Sequence, residues 1–213
     1  MPEVPVERTL ADSTLAGEST DGYRAGEKQS VRKWVTERRE VWFAETTPEE
    51  RVACVASIWA QVESSEAFRR SRTILLYASL PDELPTGIVL ERWSRATEDP
   101  MKPGKKLVLP LVEGESLRLK AYQSNALQPG YQGILEPLPS CLDVPPEAID
   151  LAIVPGRAFT ADGWRLGRGK GFYDRLLPTL VNAWKVGVAY PYQIVEHLPV
   201  DPWDVRLDAI YEK

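Results

Sequence analysis

The sequence predicts a single α/β domain: a mostly parallel sheet with helices on both faces, preceded by two N-terminal amphipathic helices. Three observations predict it. From Thr73 onward, short β-rich runs alternate with helical stretches. The strand candidates are apolar, as strands covered on both faces are. A strand-like run at 151–154 is followed by a glycine-rich loop that opens directly into a further helical pattern.

Residues 1–27 are rich in Glu, Ser, Thr, Gly and Pro and lack an apolar segment, so they read as a flexible acidic extension and not a secretory signal. Folded structure is predicted to begin near Lys28. There Val31, Trp34, Val35, Val41 and Trp42 recur at helical spacing, predicting an amphipathic helix over 28–45. Thr47-Pro48-Glu49-Glu50 combines a capping-box Thr and Glu with Pro at the first helical position, and the stripe Val52, Val55, Ala56, Trp59, Val62 carries the second helix. Strands are predicted over 73–79, 106–112, 117–122, 150–154, 185–189 and 206–211, and helices over 86–97 and 172–181. Turns fall at Pro81, Pro103-Gly104, Pro129-Gly130 and Pro145-Pro146. The Pro-rich stretch 128–146 reads as a long irregular connection and a candidate lid or binding loop. In such sheets ligands bind beyond the carboxyl ends of the strands.

Composition narrows the chemistry. The chain has 213 residues, 26 Lys and Arg against 31 Asp and Glu, and a net charge of −5. That balance argues against a general nucleic-acid binder, which needs clustered basic residues. Its longest apolar runs are far below the roughly 18 residues of a membrane span. The charge is uneven. Residues 1–27 carry six acids (Glu3, Glu7, Asp12, Glu18, Asp21, Glu27) against two bases (Arg8, Arg24), a net of −4 that leaves −1 for the rest. Two cysteines, Cys54 and Cys141, form no C-x-x-C pattern and fit a reducing cytoplasm. A single histidine, His197, excludes a two-histidine metal site, so any metal is expected to be oxygen-ligated.

The segment 150–177 carries the chemistry. After the strand and Pro155-Gly156, the chain places Gly167-Arg168-Gly169-Lys170-Gly171 in front of a predicted helix. Alternating glycines let consecutive backbone N–H groups converge on an anion, and the helix N-terminus adds its positive end. Between Arg157 and Arg175 five bases face two acids, a local +3. This pattern is a polyphosphate cradle. It is not a P-loop, because Lys170 is followed by Gly171 and not by Ser or Thr, and the third glycine comes one residue too early for the dinucleotide fingerprint. Asp174, on the first helical turn, suits either the helix dipole or a magnesium ion beside phosphates. A second acid could come from Asp201, Asp204 or Asp208, and spacing alone does not choose among them.

The run PGRAFTADGWRLGRGKGFYDR resembles the signature of 5-formyltetrahydrofolate cyclo-ligases, also called 5,10-methenyltetrahydrofolate synthetases. Supporting parts are Lys28-x-x-x-Arg32, Asp82-Glu83-Leu-Pro-Thr86, the Lys105–Pro110 strand, Gly133-Ile-Leu-Glu136-Pro137 and Pro199-x-x-x-x-Asp204. The resemblance covers about residues 28–212 and implies one cyclo-ligase domain over 28–213. The family's aromatic-Tyr pair is commonly Tyr-Tyr and here is Phe172-Tyr173, and the acidic extension lies outside the pattern. The resemblance implies an ATP-binding set of Lys28, Arg32, Arg165, Leu166, Gly167, Arg168, Gly169, Lys170, Gly171, Phe172 and Tyr173. It implies folate contacts from Glu83 and from Arg168, Gly169, Lys170, Gly171 and Phe172, with Arg168 and Lys170 catalytic. It assigns Asp174 and Asp204 to Mg2+. The reaction implied is ATP-driven ring closure of 5-formyltetrahydrofolate in a small-molecule enzyme of the cytoplasm, monomeric, with no nucleic-acid or membrane partner. Lys28 and Arg32 are four apart, so one helix face can bring both to the same anion.

Other tempting residues have plainer readings. Cys54 fits a buried apolar position, Cys141 an exposed loop, and neither has a neighbour that would make it a thiolate. Trp34, Trp42 and Trp59 have core spacing, whereas Trp164 and Trp203 flank the site motifs and are the better ligand candidates; His197 reads as a loop residue. Lys105 and Lys106, at the start of a strand, read as exposed. Two competing functions remain at this level: an enzyme of the same fold acting on another substrate, as in thiamin metabolism, and a non-catalytic folate or nucleotide binder. Glu83 and the 133–137 loop speak against the first, and Lys170, Asp174 and Asp204 against the second.

Overall fold

The computed structural model describes residues 20–95 and 104–213. The elements are α1 (Thr20–Glu45), α2 (Pro48–Ser64), α3 (Glu66–Arg70), β1 (Thr73–Leu75), α4 (Gly87–Arg95), β2 (Lys106–Glu113), β3 (Ser116–Ala121), β4 (Leu127–Pro129), β5 (Leu135–Pro137), β6 (Leu151–Val154), β7 (Ala158–Thr160), β8 (Arg165–Leu166), α5 (Phe172–Leu176), β9 (Trp184–Val188), β10 (Ile194–Val195) and β11 (Ala209–Tyr211). The central sheet has the order β11-β9-β6-β1-β2-β3 and is parallel except for β3, which folds back antiparallel on β2. Small sheets β10-β7-β8 and β4-β5 stand beside it. None of the described helices is long and apolar enough to cross a membrane.

Alternation along the buried strands builds two cores. Ile74, Leu107, Leu109, Leu151, Ile153 and Val186 face α1, α2 and α4, where Val35, Ile58, Trp59, Val62, Val89 and Trp93 close that side. Leu75, Val108, Ala152 and Val154 face the other way, toward Phe159, Leu176, Leu177 and Leu180. The predicted capping box at α2 forms as expected: Thr47 N–H donates to Glu50 Oε2 at 2.8 Å and Glu50 N–H to Thr47 Oγ1 at 3.2 Å. Phe159 is fully buried beneath two glycines. A Cβ at Gly156 would stand 2.5 Å from its ring and one at Gly187 2.7 Å, so only hydrogen fits against the ring at either position.

Several boundaries differ from expectation, each for a local reason. Helix α1 begins at Thr20 and not at Lys28, while residues 1–19 of the expected extension lie outside the described residues. The helix expected over 86–97 and the turn at Pro103-Gly104 likewise run partly outside them. The helix expected over 172–181 stops at Leu176 and passes into a 3-10 turn, Leu177–Thr179, because Pro178 has no N–H to continue the ladder. The strand expected over 206–211 starts at Ala209: Leu207 N–H is taken by Gly163 O and Asp208 bonds the backbone of Lys185. The stretch 128–146 is not irregular throughout. It contains most of the β4–β5 hairpin and then returns along β3, where Ala121 N–H donates to Leu142 O and Val144 N–H to Leu119 O.

That return is held by Lys120, 3% exposed, whose ammonium donates to Pro139 O (2.7 Å) and Cys141 O (3.0 Å) and pairs with Asp143 (2.8 Å). Cys141 is consequently buried, not exposed as the loop reading suggested. Lys120→Met is expected to cost about 1–3 kcal/mol, because two carbonyls and a carboxylate lose their donor; an unchanged urea midpoint would show that water replaces the ammonium without penalty. Lys105 is also engaged: its ammonium meets the carbonyls of Phe68 and Ser71 at 2.6 and 2.5 Å, closing the C-terminus of α3. Trp59 is buried as expected, but Trp34 is 47% exposed with Arg38 over its ring, so it is not a core residue.

Candidate active site

A parallel sheet whose connections lead to opposite sides has a crevice where the strand order switches. Here β1 leads through α4 to β2 on one side, and β6 later pairs on the other side of β1. A cavity of about 320 Å³ opens at this point, within the range of small-molecule sites. Its floor is Tyr77 and Ala78 after β1 and Pro155 and Gly156 after β6. One wall is apolar, with Pro110, Val112, Leu117, Ile134 and Leu135; the opposite wall is the glycine loop from Gly167 to Gly171 with Phe172, Tyr173 and Asp174.

The loop is held from several sides. The β7–β8 hairpin delivers it, with Arg157 N–H donating to Leu166 O at 2.7 Å. Gly169 (φ +93°) and Gly171 (φ +70°) take positive φ, which a side chain would strain. Arg32 on α1 donates from Nε to Gly167 O at 2.8 Å. Arg165, whose side chain is 4% exposed, donates to Pro155 O at 3.1 Å and pairs with Asp174. Arg168 pairs with Asp82 and donates from Nε to Glu83 Oε1 at 3.1 Å; Glu83 also accepts from Leu80 N–H at 3.0 Å. Lys170 extends exposed from the loop, and its ammonium meets no hydrogen-bonding or ionic partner among the described residues. Because α5 is only five residues long, it contributes less dipole than the expected helix.

The β4–β5 hairpin forms the outer rim. Tyr131 stands edge-on to Phe172 at 5.6 Å, giving the cavity two aromatic faces suited to a planar ring. Glu136, 5% exposed, folds under Gly130 and accepts from Tyr131 N–H at 3.1 Å. A Cβ on Gly130 would fall 2.3 Å from that carboxylate, so this glycine makes room for it. Beneath the loop, the Tyr173 hydroxyl is buried without a hydrogen-bond partner among the described residues, and burial pushes its pKa well up, with the Glu83 charge adding to the shift. Tyr173→Phe is therefore expected to stabilise the ligand-free protein by about 1 kcal/mol in urea unfolding; a lower midpoint would mean that the hydroxyl has a partner.

Most residues expected at the site meet there: Glu83, Arg165, Gly167, Arg168, Gly169, Lys170, Gly171, Phe172, Tyr173 and Asp174 all line the cavity. Leu166 is buried behind the loop and Arg32 reaches its back. Lys28 goes elsewhere, to Asp201 at 2.6 Å and Asp204 at 2.7 Å. Burial disfavours the Lys28 ammonium, but the hydrogen bonds and charges of the two carboxylates outweigh it and raise its pKa. Trp164, Trp203 and His197 do not line the cavity, and Trp203 and His197 are exposed. Sequence reasoning assigned no role to Asp82, Arg157, Tyr131 or Glu136. The adjacent acids Asp82-Glu83 facing an Arg-rich loop were the available signal for the first two.

Among the described residues no group of three or more His, Cys, Asp or Glu side chains is gathered to hold a metal ion. Asp174 has Arg165 as counter-ion, and Asp204 holds Lys28 away from the cavity lining. This donor set does not fit a metal bound by protein alone. It fits one held by a carboxylate together with the oxygens of a phosphorylated ligand.

An apolar cavity at the switch point of a parallel sheet, walled by a basic glycine loop, defines an α/β enzyme of small molecules. The model of the 5-formyltetrahydrofolate cyclo-ligase family matches residues 24–213, and the chain belongs to that family. It is 35% identical over 147 residues to the 5-formyltetrahydrofolate cyclo-ligase of Escherichia coli (66% of this chain, 77% of that protein), and 30% identical over 177 residues to that of Mus musculus (76% and 83%). The solution structure of Aquifex aeolicus 5,10-methenyltetrahydrofolate synthetase superposes with a TM-score of 0.73 at 34% identity, covering 86% of this chain and 88% of that one. The fold is also shared with the Mycoplasma pneumoniae synthetase, with a TM-score of 0.64 at 24% identity over 87% and 98% of the two chains. The chain is thus a ligase of the family that converts 5-formyltetrahydrofolate to 5,10-methenyltetrahydrofolate.

Proposed function

We propose that this chain closes the ring of 5-formyltetrahydrofolate to 5,10-methenyltetrahydrofolate at the expense of ATP, releasing ADP and phosphate. The observation that carries the reading is that Arg168 and Lys170 of the glycine loop line the same cavity as Phe172 and Glu83, so groups for phosphate and for a planar folate ring share one space. The formamide oxygen leaves poorly as hydroxide. Its attack on the γ-phosphorus breaks the bond to the bridging oxygen, and ADP departs with that electron pair. The 10-nitrogen then bonds to the formyl carbon and loses its proton, and the C–O pair leaves with phosphate. Phosphoryl transfer asks for positioning and charge neutralisation, not a protein nucleophile.

In this reading Lys28, Arg32 and the residues from Arg165 to Tyr173 bind ATP, and Glu83 with Arg168 to Phe172 binds folate. Asp174 would hold Mg2+ beside the phosphates in place of Arg165, and Asp204, which lies outside the cavity lining, would join it only on exchanging Lys28 for the ion. Magnesium supplies neutralisation of phosphate charge when bound. Arg168 and Lys170 stabilise the charge that builds on the transferring phosphoryl group. The enzyme acts on small molecules as a cytoplasmic monomer, without nucleic-acid or membrane partners. Against a nucleic-acid partner stands the near-neutral charge of residues 28–213, a net of −1. The test mixes purified protein with ATP, magnesium and 5-formyltetrahydrofolate and follows the near-ultraviolet absorbance of the methenyl product. No product, with ATP bound, would refute the reading.

A further inference from the structure

Arg168 sits between Gly167 and Gly169, so its own backbone does little to fix where its guanidinium points. Its Nε is taken by Glu83 in the cavity lining, and what holds its terminal nitrogen lies outside the cavity. One oxygen of Asp82 takes Arg168 and the other takes Arg157; neither Asp82 nor Arg157 lines the cavity. Arg157 is itself anchored, since its second terminal nitrogen donates to Thr36 Oγ1 on α1 at 2.6 Å and its backbone is bound into the β7–β8 hairpin. Both side chains are mostly buried, at 15% and 20% exposure for Arg157 and Asp82. Burial alone would raise the Asp82 carboxyl, but the hydrogen bond from Arg168 and the charges of both arginines hold it below its usual range. Asp82 is thus an ionised, doubly held carboxylate that does not swing to follow Arg168.

We propose that Asp82 and Arg157 are positioning residues for Arg168, forming a chain from Thr36 of α1 through Arg157 and Asp82 that aims the Arg168 guanidinium along the cavity wall. The kinetic part of this proposal rests on the folate cyclo-ligase reading; the positional part does not.

Two variants, the nearly isosteric Asp82→Asn and the shorter, neutral Arg157→Gln, test it with two readouts. The first is the 15N order parameter of the Arg168 Nε–H group in the ligand-free protein, expected to fall in both variants to what the Glu83 hydrogen bond alone sustains. The second is ring-closure kinetics. Misdirecting a group that works in the transition state is expected to lower kcat about tenfold in each variant, with KM for either substrate far less affected. The double variant should lose no more than the worse single one, and neither substitution should add to Arg168→Ala, because all three act through one guanidinium. A purely structural role would lower the urea midpoint and give losses that multiply. Unchanged Arg168 order, unchanged kcat, or losses that persist in the Arg168→Ala background would overturn the proposal. Should Asp82→Asn fail to fold, Arg157→Gln decides, since it leaves the carboxylate in place. Absence of turnover in the wild type would refute the folate reading, and the order parameter would still decide whether Asp82 and Arg157 hold Arg168.

Discussion

Lys170→Ala is expected to lower kcat/KM by about 10²–10³-fold, the cost of removing one cation aimed at a developing oxyanion. Folding should hardly notice. The side chain is exposed, and its ammonium meets no hydrogen-bonding or ionic partner among the described residues, so no packing or ion pair is lost. Lys170 differs in this from Arg165 and Arg168, which are already engaged by Asp174 and by Asp82 and Glu83. A phosphate reaching the loop competes with carboxylates for those two arginines but has Lys170 to itself. Steady-state kinetics together with urea unfolding separate the effects. Normal turnover with an unchanged midpoint would remove Lys170 from the phosphate site, and a large fall in midpoint would show a structural role that its exposure does not suggest.

Phe159→Ala is expected to destabilise the protein by about 3–5 kcal/mol. The ring is fully buried, and the two backbones that meet it, at Gly156 and Gly187, have no side chains with which to fill the space it would vacate. Collapse would need strands β6 and β9 to move toward the hole, and they are tied to each other from Leu151↔Trp184 to Val154↔Gly187. Gly156 also belongs to the cavity floor, so any relaxation that does occur reaches the site. Equilibrium urea unfolding at unchanged slope measures the loss. A cost under about 1 kcal/mol would mean that the core repacks around the gap.

How much was legible in the sequence depended on how local the cause was. The capping box at Thr47 and the apolar strands around Ile74, Leu107 and Ile153 follow from neighbours a few residues apart, and all are present. The glycine loop was legible because spacing of glycines and bases is itself the signal. The β4–β5 hairpin was not, since its strands are three residues long and each ends in a proline that reads as loop. Cys141 was placed on the surface because nothing in its own segment shows Lys120 drawing that segment inward. Arg157 and Asp82 are 75 residues apart, and only the fold reveals that the first anchors the second.

Helix α1 has a consequence for the order in which the molecule assembles. Its polar side chains reach far along the chain: Arg32 to Gly167, Arg38 to the carbonyl of Ile194, Lys28 to Asp201 and Asp204, at sequence separations of 135, 156, 173 and 176 residues. Helix α1 is thus fastened by segments synthesised long after it. On a translating ribosome α1 can form its own turns early, but these anchors do not exist until the C-terminal residues emerge. Closing such long loops is the slow kind of contact in folding. The Lys28 anchors are therefore late contacts, and a chain truncated before Asp201 would lack them even with every cavity-lining residue present.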